Sequence, residues 1–302
     1  MPLHPEAQAY LAARDAAGSR PIDELSVEQA REQSIRLAKL SAGEEVARVQ
    51  DMEIPGPYGP IPLRLYYPST EKNLPILVFF HGGGWVTGNL DTADATCRAW
   101  ANAMECLVVS VNYRHAPEHK FLAAAEDAYA ATRWVSEHAE EIGGDASRLI
   151  VGGQSAGGNL AAVVALMARD RGTPRIVFQI PWVPITDYNF ETSSYRDNAD
   201  GYGLTRKGMI WYWNHYVNAQ EDGFHPYASP LRANDLSNLP PAFIVSAEYD
   251  PLREDAIAYA GKLREAGCSV ELHCYEGMIH AYQGAQALRD AVNALHRTFG
   301  LA

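Results

Sequence analysis

Short strand-like segments, the first two of them near-continuous apolar runs, recur along this 302-residue chain, most of them followed by a stretch with helical spacing. They are Ile76-Leu77-Val78-Phe79-Phe80, Cys106-Leu107-Val108-Val109-Ser110-Val111, Leu149-Ile150-Val151, Ile176-Val177-Phe178-Gln179-Ile180, Ala242-Phe243-Ile244-Val245-Ser246 and Val270-Glu271-Leu272-His273-Cys274. A strand buried on both faces has no solvent side, so it reads as a continuous apolar run rather than an alternation. Helices are expected at about 120–139, 156–170, 252–266 and 284–298. Strands alternating with helices predict an α/β fold, a mostly parallel central sheet with helices on both faces. In such folds ligands bind beyond the carboxyl ends of the strands.

Two regions depart from the alternation. Ahead of the first run lie helical patterns at about 5–17 and 26–40. Then Ile61, Leu63, Leu65 and Tyr67 alternate with Pro62, Arg64 and Tyr66. The turn Pro55-Gly56-Pro57-Tyr58-Gly59-Pro60 predicts that 46–54 and 61–67 pair as a hairpin. Later, residues 187–228 hold no strand-like run but carry Tyr188, Phe190, Tyr195, Tyr202, Trp211, Tyr212, Trp213 and Tyr216. The stretch is too long for an ordinary connection and too aromatic for disorder. It reads as part of a helical cap over the strand ends, or as plain packing of an extra helix. The expected division is 1–45 as the N-terminal part of the cap, 46–186 and 229–302 as the catalytic domain, and 187–228 as the cap insertion.

Charge and cysteine usage narrow the function. With 25 basic and 37 acidic residues the net charge is −12, which argues against nucleic acid or an anionic membrane surface as a partner. No apolar run approaches the ~18 residues of a membrane span. The start, Met1-Pro2-Leu3-His4-Pro5-Glu6, lacks the basic-then-apolar pattern of a secretory signal. A cytoplasmic location is expected. Cys97, Cys106, Cys268 and Cys274 have no C-x-x-C or zinc spacing, so they are expected to be mostly buried free thiols; no metal and no cofactor are expected.

The chemistry centres on Gly153-Gln154-Ser155-Ala156-Gly157, between the run 149–151 and the helix 156–170. A serine in a sharp strand-to-helix turn exposes its hydroxyl above the sheet. The competing reading is a helix N-cap, in which the oxygen of Ser155 accepts a backbone N–H. A serine nucleophile needs a base and a group that orients the base. His280 follows the run 270–274, and Asp250 follows the run 242–246. Asp250 could also cap the helix that follows, and Asp255 is a rival acid inside it. The loop His81-Gly82-Gly83-Gly84-Trp85 follows the first run. Its glycines leave bare N–H groups able to approach a substrate, as oxyanion donors must. Glycine loops also cradle phosphates, but no Gly-Lys-Ser/Thr follows this one.

These stretches together resemble the hormone-sensitive lipase-like esterases, the bacterial family IV carboxylesterases. His81-Gly82-Gly83-Gly84-Trp85 matches the HGGG signature, and 111–119 is similar to its YRLAPEH stretch. Residues 153–161 resemble GDSAGGNLA and 250–255 resemble DPLRDE, while Asn198-Ala199-Asp200-Gly201-Tyr202 fits the cap. The resemblance runs from about residue 60 to the end and implies an α/β-hydrolase fold with a helical cap. It makes Ser155 the nucleophile, His280 the base and then acid, and Asp250 its orienter. The N–H groups of Gly83, Gly84 and Ala156 would form the oxyanion hole, with His81 and Gly82 shaping the loop. It further implies hydrolysis of short- to medium-chain acyl esters without a metal, by a monomer or homodimer. Trp85, Tyr195, Tyr202, Leu204, Trp211 and Ile279 are expected to line the substrate pocket, the bulk of Tyr195, Tyr202 and Trp211 favouring short acyl chains. Gln154 stands where Asp is usual, and Ala281-Tyr282 where Gly-Phe is common. Two other readings stay open. One is a binding protein like the plant gibberellin receptors, which lack the histidine. The other is a serine peptidase, which a preceding propeller domain would favour.

Overall fold

The computed structural model describes residues 2–281 and 284–300, and in these eight strands form a single sheet. The strands are β1 (Arg48–Gly56), β2 (Gly59–Tyr67), β3 (Leu74–Phe80), β4 (Leu107–Val111), β5 (Gly144–Gln154), β6 (Phe178–Trp182), β7 (Ala242–Tyr249) and β8 (Val270–Ile279). Their order across the sheet is β1-β2-β4-β3-β5-β6-β7-β8. β1 and β2 form the expected hairpin, closed by the pair Gly56 and Gly59, and β2 runs antiparallel to β4. From β4 onward every pairing is parallel.

The helices are α1 (Pro5–Ala16), α2 (Val27–Ala38), α3 (Leu90–Met104), α4 (Ala123–Glu137), α5 (Ala156–Arg171), α6 (Ser193–Asp197), α7 (Arg206–Tyr216), α8 (Arg253–Glu265) and α9 (Ala285–Phe299). Strand alternation assigns the core to two faces. Ile76, Val78 and Phe80 of β3 join the cluster under α4, α5 and α8, whereas Leu77 and Phe79 join the one under α3 and α9. Residues 156–168 of α5 are buried all round, as in a helix wedged between the sheet and its neighbours. Each large apolar side chain so buried contributes about 1.5–3 kcal/mol against exposure.

Three features differ from expectation. α3 was not anticipated in the stretch after the glycine loop. It starts at a capping box in which Asn89 and Thr92 satisfy each other's backbone amides, and it buries Ala93, Cys97, Trp100, Ala101 and Met104. β6 lies two residues later than the apolar run suggests and includes Pro181. That proline is tolerated because the ladder to β7 is sparse: the amides of Gln179 and Val183, on either side, bond Pro241 and Val245. Of the four thiols, Cys97 and Cys106 are buried and Cys274 is exposed, since it lies on β8 at the sheet edge.

The N-terminal segment and residues 187–228 pack on each other, with Ile22 against Gly208 of α7. The amide of His4 donates to the Gly277 carbonyl at 2.8 Å, tying the chain start to the end of β8. Among the described residues no helix is long and apolar enough to cross a membrane.

Candidate active site

Ser155 stands alone between the last residue of β5 and the first of α5, at φ 56° and ψ −116°. Holding a side-chain-bearing residue there costs on the order of 1–3 kcal/mol. Three backbone bonds hold it: the Ser155 amide donates to the Trp182 carbonyl at 2.9 Å, and its carbonyl accepts from the amides of Asn159 at 2.9 Å and Ile185 at 3.4 Å. Its side chain makes no capping hydrogen bond, so the N-cap reading does not describe this turn. The flanking glycines are required by close approach to the end of β3. A Cβ on Gly157 would lie 1.8 Å from the Phe80 carbonyl oxygen, and one on Gly153 2.3 Å from it. Asn159 donates from Nδ2 to the carbonyls of Ile185 and Ala228, binding α5 to two distant loops. Gln154 ends β5 opposite Trp182, and the structure offers no reason for its departure from the motif.

The acid and the histidine meet because β7 and β8 are in register. Tyr249 pairs with Ile279, which sets Asp250 and His280 side by side just beyond the strands. Oδ2 of Asp250 lies 2.9 Å from Nδ1 of His280, while Oδ1 accepts the Leu252 amide at 2.9 Å. Asp250 is fully buried and His280 is partly open. A carboxylate only accepts, so Nδ1 carries the hydrogen and Nε2 the lone pair. Asn198 of the 198–202 stretch donates to the carbonyls of Glu248 and Asp250 and steadies that turn. Asp255 is elsewhere engaged. Its Oδ2 accepts the amides of Thr186 and Asp187 at 2.8 and 3.1 Å, and burial pushes its carboxyl well above the usual range.

The glycine loop turns back on itself after β3. The Gly83 carbonyl accepts the amides of Val86 and Thr87, with Gly83 at φ 117° and Gly84 at φ 57°. Tyr212 of α7 covers the loop so closely that a Cβ on Gly84 would lie 2.1 Å from its ring. Gly82 faces the Ser155 Cβ. The amides of Gly83 and Gly84 have no partner among the described residues, and Ala156 opens α5, where amides lack intrahelical partners. His81 is buried, and desolvation lowers its pKa to about 4. From α2, Arg31 donates to the carbonyls of Val86 and Ala116 and pairs both oxygens of Glu118 at 2.7 Å. That pair holds the Glu118 carboxyl down to about 2.

The proposed pocket residues separate into two groups. Tyr202, Leu204 and Trp211 are half-buried. Trp85, Tyr195 and Ile279 have almost no exposed surface and pack among core side chains. Trp85 stacks on Tyr216 of α7, with centroids 4.0 Å apart, and Tyr195 meets Phe190 edge-on. Aromatic bulk in the sequence could not distinguish lining from packing. Tyr212, Arg31 and Glu118 were not singled out as functional from the sequence; only Glu118 lay within a recognisable motif. Tyr282, beside His280, lies outside the described residues. Among the described residues no three potential metal ligands cluster.

Residues 77–284 match a family described as having the alpha/beta hydrolase fold. The chain is 46% identical over 256 residues to Esterase LipI of Mycobacterium tuberculosis, covering 83% of this chain and 80% of that one. It is 36% identical to an arylesterase of Saccharolobus solfataricus, covering 94% of each. The structure superposes on a hyperthermophilic esterase from Pyrobaculum calidifontis with a TM-score of 0.92, at 39% identity and over 100% of both chains. Elbow, glycine loop and these likenesses agree, and the chain belongs to the hormone-sensitive lipase-like esterases of the α/β-hydrolase fold.

Proposed function

We propose that this esterase hydrolyses short- to medium-chain acyl esters through a covalent acyl-enzyme on Ser155. The observation that carries the reading is the pair Asp250–His280 at 2.9 Å, set at the same sheet end as an uncapped, strained serine.

In this mechanism Nε2 of His280 takes the Ser155 proton as Oγ attacks the ester carbonyl. The oxyanion of the tetrahedral intermediate is met by the amides of Gly83, Gly84 and Ala156, placed before the reaction and needing no reorganisation. Asp250 keeps the imidazole in its useful tautomer and stabilises the imidazolium. His280 then returns the proton to the departing alcohol, and water, activated the same way, releases the acid and restores Ser155. Segments 1–45 and 187–228 act as the cap, and Tyr202, Leu204 and Trp211 bound the acyl site. Their bulk supports a preference for short chains.

Ser155→Ala should abolish turnover of p-nitrophenyl acetate. Substantial activity in that variant would overturn the reading. A profile over acetyl to palmitoyl esters should peak at the short end; a maximum at palmitoyl would remove the assigned acyl site. Matched ester and amide substrates should show turnover of the ester alone.

A further inference from the structure

Beside the site, one mostly enclosed residue has no role in the mechanism above. His115 follows β4, and its Nε2 lies 3.4 Å from Nε2 of His81, with ring centroids 5.2 Å apart. The tautomers follow from what can accept. Nδ1 of His81 is 2.8 Å from the Gly82 carbonyl oxygen, so that nitrogen carries the hydrogen. Nε2 of a neutral His81 then presents a lone pair, and His115 is the donor that meets it.

The rest of the His81 ring is boxed in. Tyr113 stacks on it at 4.3 Å and donates its hydroxyl to the His81 carbonyl at 2.8 Å. Gly88 closes another side, where a Cβ would lie 2.5 Å from both the Gly82 oxygen and His81 Nδ1.

The Gly82 carbonyl shares one planar peptide with the Gly83 amide, and the two point in opposite directions. Fixing the oxygen therefore aims the N–H. If the hydrogen of His81 moved to Nε2, a lone pair at Nδ1 would face the Gly82 oxygen. The Gly83 backbone, free of a Cβ, could then rotate the peptide away.

We propose that His115 is a positioning residue for the oxyanion donors: its Nε2–H locks the His81 tautomer that aims the Gly82–Gly83 peptide. The proposal rests on the esterase reading of Ser155. The YRLAPEH stretch has leucine at this position, so the bond is a feature of this chain rather than of the motif.

The test compares His115→Gln, His115→Asn and His115→Leu with the wild type and Ser155→Ala on p-nitrophenyl acetate. Glutamine carries an N–H donor at about the reach of Nε2, asparagine only at that of Nδ1. His115 borders an open cleft of about 380 Å³, so smaller side chains leave no sealed void. Leu and Asn should lower kcat about 3- to 10-fold, the worth of one hydrogen bond, with KM nearly unchanged. They should weaken a trifluoromethyl ketone, which forms a tetrahedral oxyanion on the serine, by the same factor. Gln should restore both to within about twofold. Full kcat in the Leu variant, an equal loss in all three, or a change confined to KM would each overturn the proposal. If Leu fails to fold, the Asn and Gln pair carries the comparison. A wild type without esterase activity, or activity surviving in Ser155→Ala, would instead bring down the active-site reading and this proposal with it.

Discussion

The ring of Tyr212, on α7, lies where a Cβ of Gly84 would be, 2.1 Å from its Cδ1. The glycine loop is thus clamped from above by residues 187–228, and from the side by Arg31 of α2 through the Val86 carbonyl. A side chain at 84 must displace the ring or the loop, and at φ 57° it is also strained. Gly84→Ala should lower kcat on p-nitrophenyl acetate by about 100-fold, the scale of one lost oxyanion donor. Steady-state kinetics near the wild-type value would show that the loop does not supply that donor.

The two acids near β7 should behave differently. Asp250→Asn can still bond Nδ1 but stabilises the other tautomer, so kcat should fall about 10⁴-fold with little change in melting temperature. Asp255→Asn resembles the protonated acid that burial already favours, and its oxygen can keep the amides of Thr186 and Asp187. It should retain kcat within about threefold. Reversed losses in the two variants would exchange their roles.

Gly157→Ala tests the elbow as a packing problem. A Cβ 1.8 Å from the Phe80 oxygen meets backbone on a central strand, which cannot move aside cheaply. The expected cost is about 3 kcal/mol or more, read by denaturant unfolding. A variant as stable as the wild type would mean that β3 and α5 are less tightly joined than the structure has them.

The histidine pair predicts a pH dependence of stability. Burial lowers His81 to about 4; burial first, then the charge of His81 and Arg31, lowers His115 to about 3, against an ordinary 6.5. Glu118, which faces His115, is engaged by Arg31. Both rings are neutral when folded, whereas the unfolded chain binds protons below about pH 6.5. Their stabilisation is therefore complete above pH 6.5 and is lost as pH falls through about 4 toward 3, on the order of a few kcal/mol in all. Melting temperature should drop over that interval, and His115→Leu should flatten the drop. Parallel curves for variant and wild type would sink this account.

Much of this protein was legible in its residues alone. Mostly apolar strand segments alternating with helices have few outlets other than a parallel sheet, and Gly-x-Ser-x-Gly at a strand-helix junction has few backbones it can adopt. Ser155, Asp250 and His280 could be named because each lies a few residues beyond such a segment. What lay beyond reach was every relationship across the sheet or between layers. Local periodicity does not encode register, yet the pairing of Tyr249 with Ile279 is what puts acid beside histidine. Aromatic bulk does not say which side of a wall a ring occupies, so Trp85 and Tyr195 pack inward while Tyr212 covers the glycine loop. The histidine of the loop finds its partner 34 residues away in His115, a contact set only when β3 and β4 lie side by side.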